Sequence, residues 1–219
     1  MKTSKRFLPM MAVAFLTTVI ILGSFSRLKA GGFKLVKQDK VLSLYERWIC
    51  GDKGNKVREL KCVFTVESDI TSITRLLTDQ SRGTQWNSNT LRYKILRTGN
   101  AATWTAYIHY DIPWPFNDQD CCLLYHFKRL AMDADAQGAV ITFKSISDPR
   151  FPIAEETDRI TGIRGKWLLE PRGKGQTKIT YLITTERSQN IPRWISDPII
   201  HNNLFSTMTK FKDMLENNT

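Results

Sequence analysis

HYDIPWPFNDQDCCLLYHF, residues His109 to Phe127, reads as strand, corner, strand. Trp104, Ala106, Ile108 and Tyr110 alternate into Asp111, and a second apolar run goes from Cys121 to Phe127. Between them stand Pro113-Trp114-Pro115-Phe116 and then Asn117-Asp118. Proline fixes φ at about −65° and lacks an N–H, so the two prolines end the first strand and exclude a helix. The residue before each is pushed to extended geometry.

Outward from this corner the chain alternates in the same way. Upstream, the clearest strand signal is Val41 to Trp48, and Gly51 to Asn55 is turn chemistry. Val57 to Val66 then places Arg58, Leu60, Cys62, Phe64 and Val66 on one face, which completes a hairpin. Ser68-Asp69 looks like a helix N-cap before Ile70, Ile73, Leu76 and Leu77 at helical spacing. Asp79 to Asn89 reads as a short helix and loop, and from Leu91 the period returns to two.

Downstream, Asp133 to Gly138 is a hairpin turn and Val140 to Ser145 a strand. Ser147 to Arg159 has Pro149 and Pro152 and little periodicity, and loops of that length are often functional. Gly162 to Leu169 and Lys178 to Thr185 are strands around a Pro171 to Gly175 turn. A last helix runs to Leu215, with Ile195, Ile199, Asn202, Phe205, Met208, Phe211 and Leu215 as one stripe. Pro198 is expected to break or restart it after Asp197. Strands joined by short turns imply one curved antiparallel sheet. The fold expected is therefore α+β, with the long C-terminal helix burying its stripe on the concave face and a hydrophobic cavity between them.

The first thirty residues stand apart. Lys2, Lys5 and Arg6 precede a charge-free run from Phe7 to Phe25, and Ala30 offers a cleavage site. Residues 1–30 are thus a signal peptide or, alternatively, an anchor through residues 7–25, and 31–219 form the folded domain. Either way the folded part is expected outside the cytoplasm, periplasmic or secreted. Five of the 32 basic residues and none of the 21 acidic ones lie in that segment, so the body carries 27 against 21, a net charge of +6. Such a surface suits weak association with an anionic membrane. Its basic residues are scattered among acidic ones, so nucleic acid is not an expected partner. Cys50, Cys62, Cys121 and Cys122 lack metal spacing. They read as small buried hydrophobes, with one disulfide as the alternative.

The Pro113 to Asp120 run resembles the PWPF-S-DRD-type segment of START domains, the lipid-transfer module of the helix-grip superfamily. Ile163-Arg164 near that family's "VRA" position, and Tyr181 to Pro192 leading into the last helix, are similar too. The resemblance covers roughly Gly32 to Leu215. It implies a cavity for a lipid or other hydrophobic ligand, closed by the last helix and a loop. The chain departs from sterol-binding relatives, which carry an arginine near the position of Tyr125. Gln119 replaces the arginine of the DRD turn, so the charged contact to a sterol hydroxyl does not carry over.

Strand alternation picks the inward residues. Arg92 and Lys94 facing out would turn Leu91, Tyr93 and Ile95 in. Trp104, Ile108 and Tyr110 share one face of the next strand, and Leu123, Tyr125 and Phe127 one face of the strand after the corner. From the helix come Ile199, Phe205 and Met208. These twelve are the expected lining. An empty void of ~500 Å³, at ~24 cal/mol per Å³, would cost on the order of 12 kcal/mol, so lipid, water or partial closure is expected to fill it. His109, His126 and His201 have no metal spacing, no GxSxG occurs, and Gly173-Lys174-Gly175 lacks the phosphate-loop pattern. The reading is a non-catalytic, monomeric lipid binder without cofactor or metal. The alternatives are a cyclase or aromatase of the same fold, which needs His109, Asp111 or Tyr125 side by side, and a ligand-free interaction module with a collapsed cavity.

Overall fold

A computed structural model describes residues 32–51, 54–114, 116–132, 137–185 and 193–217, with side chains of the last segment from 197 onward. The leader or anchor at residues 1–30 lies outside the described residues. Ten strands and three helices are described: β1 (Lys34–Gln38), β2 (Leu42–Cys50), β3 (Lys56–Val66), α1 (Ile70–Leu77), α2 (Gly83–Trp86), β4 (Thr90–Arg97), β5 (Thr103–Tyr110), β6 (Asp118–Ala131), β7 (Gln137–Ser145), β8 (Thr157–Arg159), β9 (Arg164–Gly173), β10 (Gln176–Thr184) and α3 (Arg193–Glu216). The sheet runs β1-β2-β3-β10-β9-β7-β6-β5-β4. All neighbours on this path are antiparallel, and β8 adds to β6 in parallel beyond the end of β7.

The period-two pattern explains these pairings. Leu60, Cys62, Phe64 and Val66 of β3 enter the core, opposite Glu46, Leu44 and Leu42 of β2 and Ile183, Tyr181 and Ile179 of β10. α1 starts where Asp69 accepts the Ser72 N–H at 2.7 Å, and it buries Ile70, Ile73, Leu76 and Leu77. β1 is an edge strand mostly open to water, too polar to show in the sequence pattern. The other edge, β4, carries exposed Arg92, Lys94 and Arg97, charges that discourage pairing with a second sheet.

Two local expectations change, and the reading of the cysteines as small buried hydrophobes holds for three of the four. Pro198 does not interrupt α3, which is continuous for 24 residues. Pro171 lies inside β9, next to a register shift opposite Gln176 and Thr177, rather than in the turn. The cysteines are free among the described residues, and Cys50 is exposed while the other three are buried. Cys50 lies opposite Lys56 and Cys62 opposite Leu44, so the hairpin does not bring those thiols together.

Candidate functional site

The site is the space gripped between the inner face of the sheet and α3. Tyr93, Trp104, Ile108, Leu123, Tyr125 and Met208 are buried in its core, and Ile95, Tyr110, Phe127 and Phe205 pack at the margin. Leu91 and Ile199 do not line it; they are 58% and 50% exposed. Leu91 falls in a bulge, since Thr90 pairs with Tyr110 and Arg92 with His109, and the extra residue is thrown outward. Ile199 is displaced because Asp197 and His201 take the inward face of that helical turn.

Eight aromatic rings run through the grip in one chain: Tyr93, Trp86, Phe211, Trp167, Tyr181, Phe143, Tyr125 and Trp104, with neighbouring centroids 4.5–5.7 Å apart. Two glycines make room. A Cβ on Gly83 would sit 2.0 Å from the Tyr93 ring, and one on Gly165 would sit 2.4 Å from Phe143. The rings therefore touch one another along the grip, as partial closure would require. Two open grooves, of about 530 and 440 Å³, lie elsewhere, beside α1 and β4 and along β3 and β10.

The polar atoms of the ring chain divide into two kinds. Tyr93 donates its hydroxyl to the Leu77 carbonyl at 3.0 Å. The indole N–H groups of Trp86, Trp104 and Trp167 are buried and have no acceptor among the described residues. Burial holds the hydroxyls of Tyr93, Tyr110, Tyr125 and Tyr181 well above the ordinary tyrosine range, so all four stay neutral donors. Trp86, Phe143, Trp167, Tyr181 and Phe211 are not among the twelve expected lining residues, although Phe211 stands in the helix stripe. Trp167 and Tyr181 lie in register opposite one another on periodic strands, so alternation could have found them.

The convex face carries a second cluster. Asp120, fully buried, takes Arg159 in a bidentate pair and a hydrogen bond from the Tyr107 hydroxyl at 3.1 Å. Arg159 also reaches the Phe151 carbonyl at 2.9 Å, and Phe151 stacks on Tyr107 at 4.5 Å. Residues 148–151 are thus held on the outside of β5 and β6. His109 bonds Asp118 at 3.0 Å on that convex side, away from Tyr125, and Asp111 is exposed. His109, Asp111 and Tyr125 are therefore not side by side in the grip.

The chain matches the START domain family over residues 34–219. An uncharacterized protein of Pseudomonas aeruginosa, PA1579, is 25% identical over 187 residues, 85% of this chain and 88% of that protein. A STAR-related lipid transfer protein from Xanthomonas axonopodis superposes with TM-score 0.69 at 20% identity, covering 84% of this chain and 99% of that one. The fold is shared by the Zhui aromatase/cyclase of a Streptomyces species, with TM-score 0.51 at 14% identity over 73% and 93% of the two chains.

Proposed function

We propose, since this chain belongs to the START domain family, that it binds a lipid or other hydrophobic molecule in the grip without transforming it. The observation that carries this is the trio of buried indole N–H groups, at Trp86, Trp104 and Trp167, that have no acceptor among the described residues. Folded proteins pair such groups, and each unpaired one costs about 1–3 kcal/mol. An apolar ligand bearing carbonyl or ester oxygens would satisfy them. Binding would part the aromatic chain rather than fill a standing hole.

Exposed apolar side chains support exchange with a membrane. Trp114 and Phe116 are exposed on the Pro113 corner, Ile153 on the Ser147–Arg159 loop, and Ile199 and Ile200 on α3. With a body charge of +6, contact with an anionic bilayer is the expected route of entry. Export past the cytoplasm rests on the charge-free run 7–25; N-terminal mass tests it, and an intact Met1 would argue against cleavage.

A second reading, the ligand-free interaction module, draws on the same ring chain, because aromatic side chains already occupy the grip. Gentle extraction followed by mass spectrometry, together with uptake of fluorescent lipids, separates the two. An oxygen-bearing apolar molecule should co-purify. Recovery of nothing apolar, with no uptake, would leave the interaction module standing.

A further inference from the structure

The N-terminal half of α3 has its polarity reversed. Asp197 and His201, one turn apart, face the sheet, while Ile199 and Ile200 face solvent, 50% and 39% exposed. Beneath them the inner face of the sheet supplies Glu46 of β2 and Arg58 of β3. Arg58 Nη1 lies 2.7 Å from Asp197 Oδ1, His201 Nε2 lies 3.2 Å from Glu46 Oε2, and Arg58 lies 4.0 Å from Glu46. Side-chain exposure is 14% for Arg58 and 19% for Glu46, so both wall charges are largely out of water.

A structural tie alone explains this poorly. Buried ion pairs rarely stabilise more than apolar packing of the same shape. The other half of α3 seats itself on the sheet with Met208, Phe211 and Leu215, and its buried Lys212 pairs along the helix with Glu216 rather than with a charge on the sheet. The Arg58–Asp197 contact also falls short of hydrogen-bond geometry at Arg58 Nη1. It is an ion pair that a better-aligned anion can replace.

We propose that Arg58 and Glu46 are the head-group seat for a zwitterionic lipid, with Asp197 and His201 as the groups it displaces. The inference rests on the lipid-binding reading above and names the ligand class. The phosphate accepts hydrogen bonds from the guanidinium, and the ammonium lies against the carboxylate. A zwitterion leaves neither wall charge unpaired. An anionic head group strands Glu46, and an uncharged one strands both, so discrimination follows from the mismatch. When this half of the helix lifts, Ile199 and Ile200 already face the bilayer that the lipid leaves.

The test uses the full chain with vesicles containing fluorescent phosphatidylcholine, phosphatidylglycerol or diacylglycerol. Phosphatidylcholine uptake should exceed each of the others by about tenfold or more, the scale of a charge-assisted contact. Glu46→Gln should bring phosphatidylcholine and phosphatidylglycerol close together. Asp197→Asn, which leaves the sheet untouched, should raise phosphatidylcholine uptake severalfold. If Arg58→Gln fails to fold, these two variants carry the test. Equal uptake of phosphatidylcholine and diacylglycerol by the unaltered chain overturns the head-group seat while leaving lipid binding intact. Uptake of none of the three overturns both. Competition by glycerophosphocholine as strong as by the lipid, or a fall in uptake for Asp197→Asn, also overturns the proposal.

Discussion

Replacing Phe211 with alanine would cut the aromatic chain where the helix joins it. Phe211 is fully buried, with Trp86 at 5.0 Å and Trp167 at 5.1 Å on either side. Burying a phenylalanine ring is worth about 1.5–3 kcal/mol. Each aromatic pair adds ~0.5–1.5 kcal/mol beyond its area. The expected loss is therefore about 2.5–6 kcal/mol, consistent with the ~3–5 kcal/mol found when core phenylalanines are truncated. Against a typical total of ~5–15 kcal/mol, that is a large fraction of the stability. In a domain of this size the melting temperature should fall by roughly 6–20 °C for a loss of ~3–5 kcal/mol. Urea unfolding followed by circular dichroism gives the free energy, with Phe205→Ala, at the half-buried margin, as the milder control. A loss below about 1 kcal/mol for Phe211→Ala, or one no greater than for Phe205→Ala, would refute the seating of α3 on these rings.

Trp104→Phe keeps an aromatic ring, though a smaller one, and removes an N–H that has no acceptor among the described residues. Stability should change little, by less than about 1.5 kcal/mol, while uptake of an ester-bearing fluorescent lipid drops a few-fold, the worth of one hydrogen bond; unchanged uptake would remove that indole from the site. Gly165→Ala places a Cβ 2.2 Å from the Leu182 carbonyl oxygen, which cannot retreat, so a loss of about 1–3 kcal/mol is expected by thermal unfolding. Gly99→Ala, with nothing within 4 Å, is the control and should be nearly silent. Asp69→Ala removes the α1 cap and should cost about 1 kcal/mol at neutral pH. The hydrogen bond from the Ser72 N–H holds the Asp69 carboxyl below its usual 3.8, so the cap's contribution is present above that pH and lost as the pH falls through the lower folded value. The stability gap between parent and variant should close in acid; a gap that persists there would mean that the carboxylate is not the cap.

Much of the fold is legible because apolar alternation and the corner prolines act locally. The faces of β3 and the core positions of β5 and β6 follow from period two alone, as Leu60, Cys62, Trp104, Ile108, Leu123 and Tyr125 show. Leu91 was not legible, because a bulge shifts the face by one residue and leaves no mark in composition. β1 was hidden because an exposed edge strand need not alternate. Ile199 misled because apolar spacing is a poor guide where ion pairs decide which face turns inward. The clue was already present in Arg58, a charge on an otherwise apolar strand face. The close approach of the Tyr93 and Phe143 rings depends on Gly83 and Gly165, where absent side chains matter as much as present ones.

The arrangement of tryptophans gives the molecule its own spectroscopy. Trp86, Trp104 and Trp167 are buried in the ring chain, while Trp114 is 92% exposed on the corner. Emission from the first three is blue-shifted and out of reach of aqueous quenchers, and that of Trp114 is red-shifted and open to them. A molecule entering the grip should perturb the blue component, and contact of the Pro113 corner with a bilayer the red one. With Trp48 and Trp194 replaced by phenylalanine, loading and docking can be timed separately in one unlabelled sample.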